Sequence, residues 1–264
     1  MLTEKERLAA LSSLLPEGRG GLLRWPEEAD STNRALRALA EAGAAAGSAC
    51  LAEGQTAGRG RLGRRFVSPA GKGLYLSYLL RPRLEPEELG ELPAWAAAAA
   101  RRALLRCCGL DTEIKWVNDL LFGGRKLCGI LAEGVLREGK VESVILGIGI
   151  NIAAGKEDFP PELRDTATSV FLETGAAPDR IRLAAALLRE LDDLAKSFPQ
   201  GRRDVWEEYR THCVTLGKAV TLSDGTEGVA EDLGEDFSLL VRLPDGTLRR
   251  LRSGEATLHG SGEK

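Results

Sequence analysis

The densest cluster of reactive side chains is the run Gly58-Arg59-Gly60-Arg61-Leu62-Gly63, which Arg64 and Arg65 follow directly. Its spaced glycines match the phosphate-binding pattern of dinucleotide folds, but that pattern requires a helix that starts at the turn. Here Phe66-Val67-Ser68-Pro69 and then a predicted strand follow instead. Because guanidinium groups bind anionic oxygens in pairs, the run predicts a flexible loop that closes over an anion. An RNA-contacting loop and a solvated basic turn are the alternatives.

A second cluster, Lys115-Trp116-Val117-Asn118-Asp119, comes at the end of a predicted strand, where side chains can enter a cleft. Asn118 can hydrogen-bond a purine edge, and Asp119 can accept a proton or bind a metal ion. Lys126 follows seven residues after Asp119 and could bring an ammonium group to the same cleft. The alternatives are a simple Asn-Asp turn and a solvated surface lysine.

A third pattern, Gly147-Ile148-Gly149-Ile150-Asn151, is a predicted strand that carries two glycines on one face. Glycines inside a strand allow another backbone or a flat ligand to approach closely. Asn151, at the end of this strand, could hydrogen-bond a nucleotide. A bulge followed by a turn asparagine is the alternative.

Hydrophobic spacing and turn residues predict the elements that must position these clusters. The N-terminal part has helices over residues 4–15 and 32–43, the second capped by Asp30-Ser31-Thr32, and a helix over 87–107 packed against a sheet. Strands are predicted over 49–53, 74–80, 112–116, 126–134 and 141–152, the last two joined by a hairpin turn at residues 137–140. A mixed or antiparallel sheet with flanking helices follows, in the α/β (α+β) class.

Helices over residues 179–198 and 204–211 come next, and then the texture changes to short β segments. Ser223-Asp224-Gly225 and Pro244-Asp245-Gly246 mark turns between these segments. We therefore expect one domain over residues 1–213 and a small β-barrel, of the SH3-like kind, over residues 214–264.

Composition disfavours several classes of protein. The charged N-terminus lacks the apolar core of a signal peptide, and no segment approaches the length of a membrane span, so we expect a cytoplasmic protein without membrane contact. A net charge of −3 gives no electrostatic case for a DNA-binding protein. Five scattered cysteines and only two histidines predict inert thiols and neither a zinc site nor histidine catalysis.

Taken together and in order, these motifs resemble the biotin protein ligases. The resemblance is close over residues 30–152 and looser over the C-terminal part. Its matching segments are Asp30-Ser31-Thr32-Asn33, residues 53–61, Lys115-Trp116-Val117-Asn118-Asp119, Arg125-Lys126-Leu127-Cys128-Gly129-Ile130-Leu131 and Gly147-Ile148-Gly149-Ile150-Asn151. It implies a catalytic domain related to the class II aminoacyl-tRNA synthetases, followed by an SH3-like domain.

The resemblance also implies the roles of particular residues. Biotin binding falls to Ser31, Thr32, Asn33, Gln55, Arg59, Gly60, Arg61, Lys126 and Gly129, and binding of ATP or the adenylate to Arg59, Arg61, Arg64, Phe66, Asn118, Lys126 and Asn151. Lys126 would lie between the biotin carboxylate and the α-phosphate. Two positions depart from the family pattern. Val117 replaces a usual proline, and Phe66 replaces a common tryptophan beside the adenine, so we expect looser geometry in this turn and altered adenine packing.

The implied reaction joins biotin to ATP, with Mg²⁺, as biotinyl-5′-AMP, and then transfers biotin to a lysine of a biotin carboxyl carrier protein. Lys126 and Arg61 would neutralise charge on the phosphate, while Asp119 would orient or deprotonate the carrier lysine and is a possible Mg²⁺ ligand. The rivals are a lipoate or octanoyl ligase, a bifunctional ligase that also represses transcription, and a biotin-sensing module. The polar head-pocket residues favour biotin. The short segment before residue 30 favours a monofunctional ligase that does not bind DNA, and strand edges suggest a possible homodimer.

Overall fold

The computed structural model describes residues 2–254 and 256–258. Its helices are α1 (Glu4–Ser13), α2 (Thr32–Glu41), α3 (Leu92–Cys108), α4 (Val170–Thr174), α5 (Arg180–Ser197) and α6 (Arg202–His212). The strands before α4 are β1 (Leu23–Arg24), β2 (Glu28–Ala29), β3 (Ala49–Ala52), β4 (Gly54–Gln55), β5 (Gly73–Leu80), β6 (Glu113–Lys115), β7 (Asp119–Phe122), β8 (Arg125–Arg137) and β9 (Lys140–Asn151). None of the helices in this described part is long and apolar enough to cross a membrane.

Seven of these strands form one mixed sheet in the order β1-β3-β5-β9-β8-β7-β6. Only β1 and β3 run parallel in it, and the remaining neighbours are antiparallel. The predicted mixed or antiparallel sheet is therefore confirmed, including the β8–β9 hairpin. Its turn places Glu138 and Gly139 at positive φ. A separate parallel pair, β2 and β4, lies just before the arginine-rich residues 58–66.

Each face of this sheet packs against different helices, which decides where a cavity can form. Helix α3 is rich in alanine, and its buried alanines allow the sheet and α5 to approach it closely on one face. Helix α2 packs Leu36 and Ala40 against Cys50, Leu79 and Ile145 on the opposite face. That second face is only partly covered by α2, and the site lies beside this helix.

One predicted boundary in this region is wrong, and one strand was missed. Residues 86–91 form 3-10 turns, and α3 begins only at Leu92, not at residue 87. Pro93 lacks an N–H and fits only the first turn of an α-helix, which fixes the start there. Residues 119–122 form the strand β7, which the sequence analysis did not predict.

The C-terminal segment folds as a five-stranded antiparallel sheet. Its strands are β10 (Ala219–Leu222), β11 (Glu227–Leu233), β12 (Leu239–Arg242), β13 (Leu248–Leu251) and β14 (Ala256–Leu258), in the order β13-β12-β11-β10-β14. Both predicted turns are present, with Gly225 and Gly246 at positive φ. The boundary near residue 213 and the closure into a barrel stay predictions, and residues 259–264 of the predicted domain lie outside the described part.

The five cysteines form no disulfide bond with one another. All five cysteines are unpaired, and Cys50, Cys128 and Cys213 are buried. Burial raises the pKa of Cys50 to about 12 and that of Cys108 to about 11. These thiols therefore stay protonated and unreactive near neutral pH, as the sequence predicted.

Candidate active site

A cavity of about 1000 Å³ opens on the sheet face beside α2. Every residue that the sequence nominated lines it: Ser31, Thr32, Asn33, Gln55, Arg59, Gly60, Arg61, Arg64, Phe66, Asn118, Asp119, Lys126, Gly129 and Asn151. The cavity is also lined by three residues that follow the predicted domain boundary, namely Val214, Lys218 and Leu258. The structure thus brings together nominated residues that are up to 120 positions apart in the chain, from Ser31 to Asn151.

The N-terminus of α2 forms one end of the cavity. Ser31 is the N-cap residue in an extended conformation, but its side chain makes no capping hydrogen bond. Instead, the N–H of Thr32 donates to Gln55 Oε1 at 2.9 Å, and Gln55 Nε2 donates to Ser68 Oγ at 2.9 Å. These bonds hold a cluster of small polar groups in fixed orientations, which we call the head pocket (Ser31, Thr32, Asn33 and Gln55).

Two residues that sequence reasoning missed, one buried and one partly buried, support the head pocket. Ser77 of β5 is fully buried and donates to Asn33 Oδ1 at 2.5 Å. Glu133 of β8 accepts from Asn33 Nδ2 at 2.7 Å. A polar residue inside an otherwise apolar strand was the available signal for both. Gly147 leaves room for this arrangement, because a Cβ there would lie only 2.3 Å from Asn33 Oδ1.

The arginine loop, residues 58–66, lines one side of the cavity. Its base is a narrow hairpin, in which the N–H of Gly60 donates to Arg64 O at 2.7 Å and the N–H of Phe66 to Gly58 O at 3.0 Å. A short 3-10 turn, Arg61–Gly63, forms its tip, and Leu62 there is 70% exposed. No α-helix follows the glycines, which supports the rejection of a dinucleotide-binding fold.

Two arginines fasten this loop to different parts of the protein. Arg59 Nη1 lies 3.0 Å from Glu133 Oε1, an ion pair with β8. Arg61 donates from Nη1 to Asn118 Oδ1 at 2.9 Å and from Nη2 to Gly254 O at 2.7 Å. The loop therefore contacts both the turn after β6 and the C-terminal segment.

Phe66 packs closely against glycines in the centre of the sheet. A Cβ on Gly149 would come within 2.5 Å of the Phe66 ring, and one on Gly129 within 3.2 Å. The ring also meets Tyr75 edge to face, with centroids 6.4 Å apart. The glycines at residues 147 and 149 do admit close neighbours, but these are neither the second backbone nor the flat ligand that the sequence predicted. The neighbours are the side chains of Asn33 and Phe66.

Residues 116–118 form the turn between β6 and β7, and the C-terminal segment anchors it. Trp116 is buried and donates from Nε1 to Phe237 O at 2.9 Å, and its N–H donates to Thr215 Oγ1 at 2.9 Å. The Trp116–Val117 peptide bond is cis. Asn118 Nδ2 donates to Ile130 O at 2.8 Å, which leaves Asn118 Oδ1 to accept from Arg61.

A β-bulge brings Lys126 to the cavity. In the β7–β8 pairing Leu121 opposes Lys126 and Leu120 opposes Cys128, so Leu127 is the extra residue. This insertion turns Lys126 to the same face as Asp119, since alternate residues otherwise face opposite sides. Lys126 Nζ consequently lies 2.8 Å from Asp119 Oδ1. The result is a partly exposed ion pair at the cavity wall.

The far end of the cavity is closed by residues 159–168. The N–H of Lys126 donates to Thr166 O at 2.8 Å, and that of Thr168 donates to Lys126 O at 2.9 Å. Asn151 Nδ2 donates to Thr168 O at 2.9 Å, so its amide group is held by the backbone. Its predicted contact with a nucleotide stays a prediction, and its observed contact is structural.

The polarity and charge of the cavity wall therefore change from one end of the cavity to the other. The head pocket supplies neutral hydrogen-bonding groups, the centre is apolar around Phe66 and Tyr75, and Lys126 with the loop arginines supplies positive charge. Burial raises the pKa of Tyr75, whose hydroxyl donates to Pro69 O at 3.0 Å. Such a cavity fits an elongated ligand with a polar head, an apolar stem and an anionic end.

Comparison with known proteins agrees with this arrangement. Residues 25–151 match the model of the family described as Biotin/lipoate A/B protein ligase family. The bifunctional ligase/repressor BirA of Bacillus spizizenii is 34% identical over 250 residues, which are 93% of this chain and 76% of that protein. The biotin--[acetyl-CoA-carboxylase] ligase of Mycobacterium tuberculosis is 34% identical over 230 residues, covering 83% of this chain and 82% of that protein.

A solved structure extends the similarity to three dimensions. The biotin protein ligase from Aquifex aeolicus in complex with biotin and ATP superposes with a TM-score of 0.76 at 31% identity. The match covers 91% of this chain and 99% of that one. It therefore includes residues on both sides of the predicted domain boundary.

Proposed function

This chain belongs to the biotin/lipoate A/B protein ligase family as a biotin protein ligase, and we propose that it converts biotin and ATP to biotinyl-5′-AMP and then biotinylates a carrier lysine. One observation carries the proposal. A single cavity joins the head pocket to the Lys126–Asp119 pair and the arginine loop. The head pocket would bind the ureido ring of biotin, and the positively charged end of the cavity would bind the biotin carboxylate and the phosphates of ATP.

The first step opposes two anions, the biotin carboxylate and the α-phosphate. Lys126 and Arg61 would neutralise charge as the carboxylate oxygen bonds to phosphorus and pyrophosphate leaves. Holding both reactants in one cavity removes much of the entropic barrier to their encounter. No protein nucleophile is required, because the substrate itself attacks.

Magnesium enters this scheme with ATP, as part of the substrate. Within residues 2–254 and 256–258, no group of three or more His, Cys, Asp or Glu side chains could hold a metal ion. Asp119 is the carboxylate beside Lys126, but that lysine already balances its charge. Mg²⁺ would therefore be held chiefly by the phosphates, with Asp119 as the protein ligand nearest the reacting end.

In the second step, the neutral amine of the carrier lysine attacks the carbonyl carbon of the mixed anhydride, and AMP leaves. Asp119 would orient this amine and accept its proton. The adenylate would hydrolyse in water, so the arginine loop beside the cavity also protects it.

The carrier we propose is the biotin carboxyl carrier protein of a biotin-dependent carboxylase. We also propose a homodimer through β8. This strand pairs with β9 as far as Arg137, whereas β7 pairs only with residues 125–129. Residues 131–137 therefore present one strand edge without a strand partner among the described residues, and Leu136 there is 56% exposed. Such an edge favours pairing with another chain.

The direct test is to incubate the protein with biotin, Mg-ATP and a biotin carboxyl carrier domain, and to record the intact mass of the carrier. We expect a single biotinyl adduct that requires both biotin and ATP. Lipoate or octanoate in place of biotin tests the related ligases, which would need an apolar channel where this cavity has the head pocket. An adduct formed from lipoate and none from biotin would contradict the proposal.

A further inference from the structure

Glu133 lies directly behind the cavity wall, and the reaction scheme gives it no role. Its side chain is only 15% exposed, yet its two carboxylate oxygens bind two different parts of the site. Oε1 pairs with Arg59 Nη1 at 3.0 Å, and Oε2 accepts from Asn33 Nδ2 at 2.7 Å. Arg59 and Asn33 line the cavity, and Glu133 lies behind them. It therefore acts on a ligand only through these two residues.

The contacts of Glu133 extend into a continuous chain of hydrogen bonds. Asn33 Oδ1 accepts from Ser77 Oγ, which lies 2.7 Å from Thr32 Oγ1. The backbone N–H of Thr32 donates to Gln55 Oε1 at 2.9 Å, Gln55 Nε2 donates to Ser68 Oγ, and Ser68 Oγ donates to Phe66 O at 2.9 Å. This series of hydrogen bonds therefore starts at Arg59 of the arginine loop and ends at Phe66 of the same loop. The head pocket lies between these two ends.

We propose that Glu133 is a positioning residue that couples the arginine loop to the head pocket by holding Arg59 and Asn33 at the same time. The inference rests on the proposed function for its ligand but not for its geometry. When Glu133 holds Arg59, the guanidinium is fixed beside the cavity before any substrate arrives. When it holds Asn33, the amide is oriented for the ligand head. Ordering one end of the cavity therefore lowers the entropic cost of ordering the other.

The substitution Glu133→Gln separates the two contacts. The glutamine oxygen can still accept from Asn33, because that bond needs only a neutral acceptor. The ion pair with Arg59 is lost, since glutamine has no charge. Glu142→Gln is the matched control, because Glu142 is also a partly exposed acid of this hairpin that pairs with arginines, 3.9 Å from Arg81 and 3.6 Å from Arg137.

The first readout is the initial rate of trypsin cleavage after Arg65 without substrates, followed by mass spectrometry. We expect E133Q to be cleaved about fivefold faster than the parent protein, the effect of losing a partly exposed ion pair, and E142Q to be unchanged. In an Arg59→Ala background, E133Q should add nothing further. Equal cleavage of E133Q and the parent, or the same added factor in both backgrounds, would overturn the coupling.

The second readout is biotin-dependent pyrophosphate exchange. A residue that prepares binding should raise the KM for biotin about fivefold in E133Q and leave kcat within about twofold. A merely structural role would lower the unfolding temperature and the apparent kcat and leave the KM for biotin unchanged, which would count against the proposal. If the parent protein shows no exchange, the proposed function fails, whereas the cleavage test of the coupling still stands.

Discussion

Replacing Lys126 by alanine is the sharpest test of the proposed chemistry. Two unit charges about 4 Å apart interact by about 4 kcal/mol at an effective dielectric constant near 20. Loss of one donor to a developing anion costs about 2.7–4 kcal/mol in comparable sites. The Lys126 side chain is 37% exposed, so solvent screens part of this interaction and the lower end of the range applies. We therefore expect adenylation to fall by roughly 100-fold.

The fold should tolerate this change. The pair with Asp119 is partly exposed and contributes about 0–1 kcal/mol, so the unfolding temperature should fall by no more than about 2–4 °C. Biotin-dependent pyrophosphate exchange measures the first step without a carrier protein. The control is Lys156→Ala, which removes a lysine that is also ion-paired, 3.1 Å from Asp165, but outside the cavity.

The same change leaves the Asp119 carboxylate without its partner, facing anionic substrates. Part of the loss should therefore come from repulsion, and the double variant Lys126→Ala/Asp119→Asn should recover part of the exchange rate. Exchange by Lys126→Ala within a few-fold of the parent protein would remove Lys126 from the mechanism. An equal loss in the Lys156→Ala control would show that the effect is not specific to the cavity.

Other changes test the remaining parts of the site and fold. Asp119→Asn should slow transfer to the carrier more than pyrophosphate exchange, and equal losses would argue against a role in transfer. Biotin with Mg-ATP should protect the arginine loop from trypsin, biotin alone only partly, and unchanged cleavage would refute gating. Burial raises the pKa of the Glu91 carboxyl from 4.5 to about 7 in the folded protein. The folded protein therefore holds this proton at pH values where the unfolded chain has lost it, and the free energy of unfolding falls as the pH rises from 4.5 to about 7. Glu91→Gln should therefore gain thermal stability relative to the parent at pH 8 but not at pH 4.5, and a parallel pH profile would contradict this. A mobility-shift assay with biotin-operon DNA should show no ligand-dependent complex, because a net charge of −3 gives no electrostatic attraction to DNA, and a specific shift would contradict this expectation.

The elements that the sequence predicted well have strong local patterns. Helix α5 has an apolar face over five turns and the N-cap Asp179, whose side chain accepts from two backbone N–H groups, so its ends were predicted within one residue. The hairpin at residues 137–140 was likewise defined by Gly139 at its turn. Local chemistry decides such elements before any tertiary contact forms.

The residues that sequence reasoning missed depend on contacts distant in the chain. Ser77 interrupts the apolar run of β5, and only the position of Asn33, 44 residues earlier, gives its hydroxyl a partner. The side of β8 on which Lys126 lies depends on a bulge at Leu127, which no local pattern indicates. The family resemblance indicated that Lys126 is functional. Its position in the cavity could not be predicted, because it depends on the register between β7 and β8.

The predicted boundary near residue 213 illustrates a further limit of sequence patterns. The change from helices to short strands is real, but the chemistry crosses it. Trp116 in the turn before β7 is held by Phe237 O, and Arg61 at the tip of the arginine loop donates to Gly254 O. Val214, Lys218 and Leu258 complete the cavity wall. Since Asn118 lies two residues after Trp116 and accepts from Arg61, a displacement of the C-terminal sheet would move both partners of that bond. The position of Arg61 over the reacting end therefore depends on residues that composition alone would assign to a separate domain.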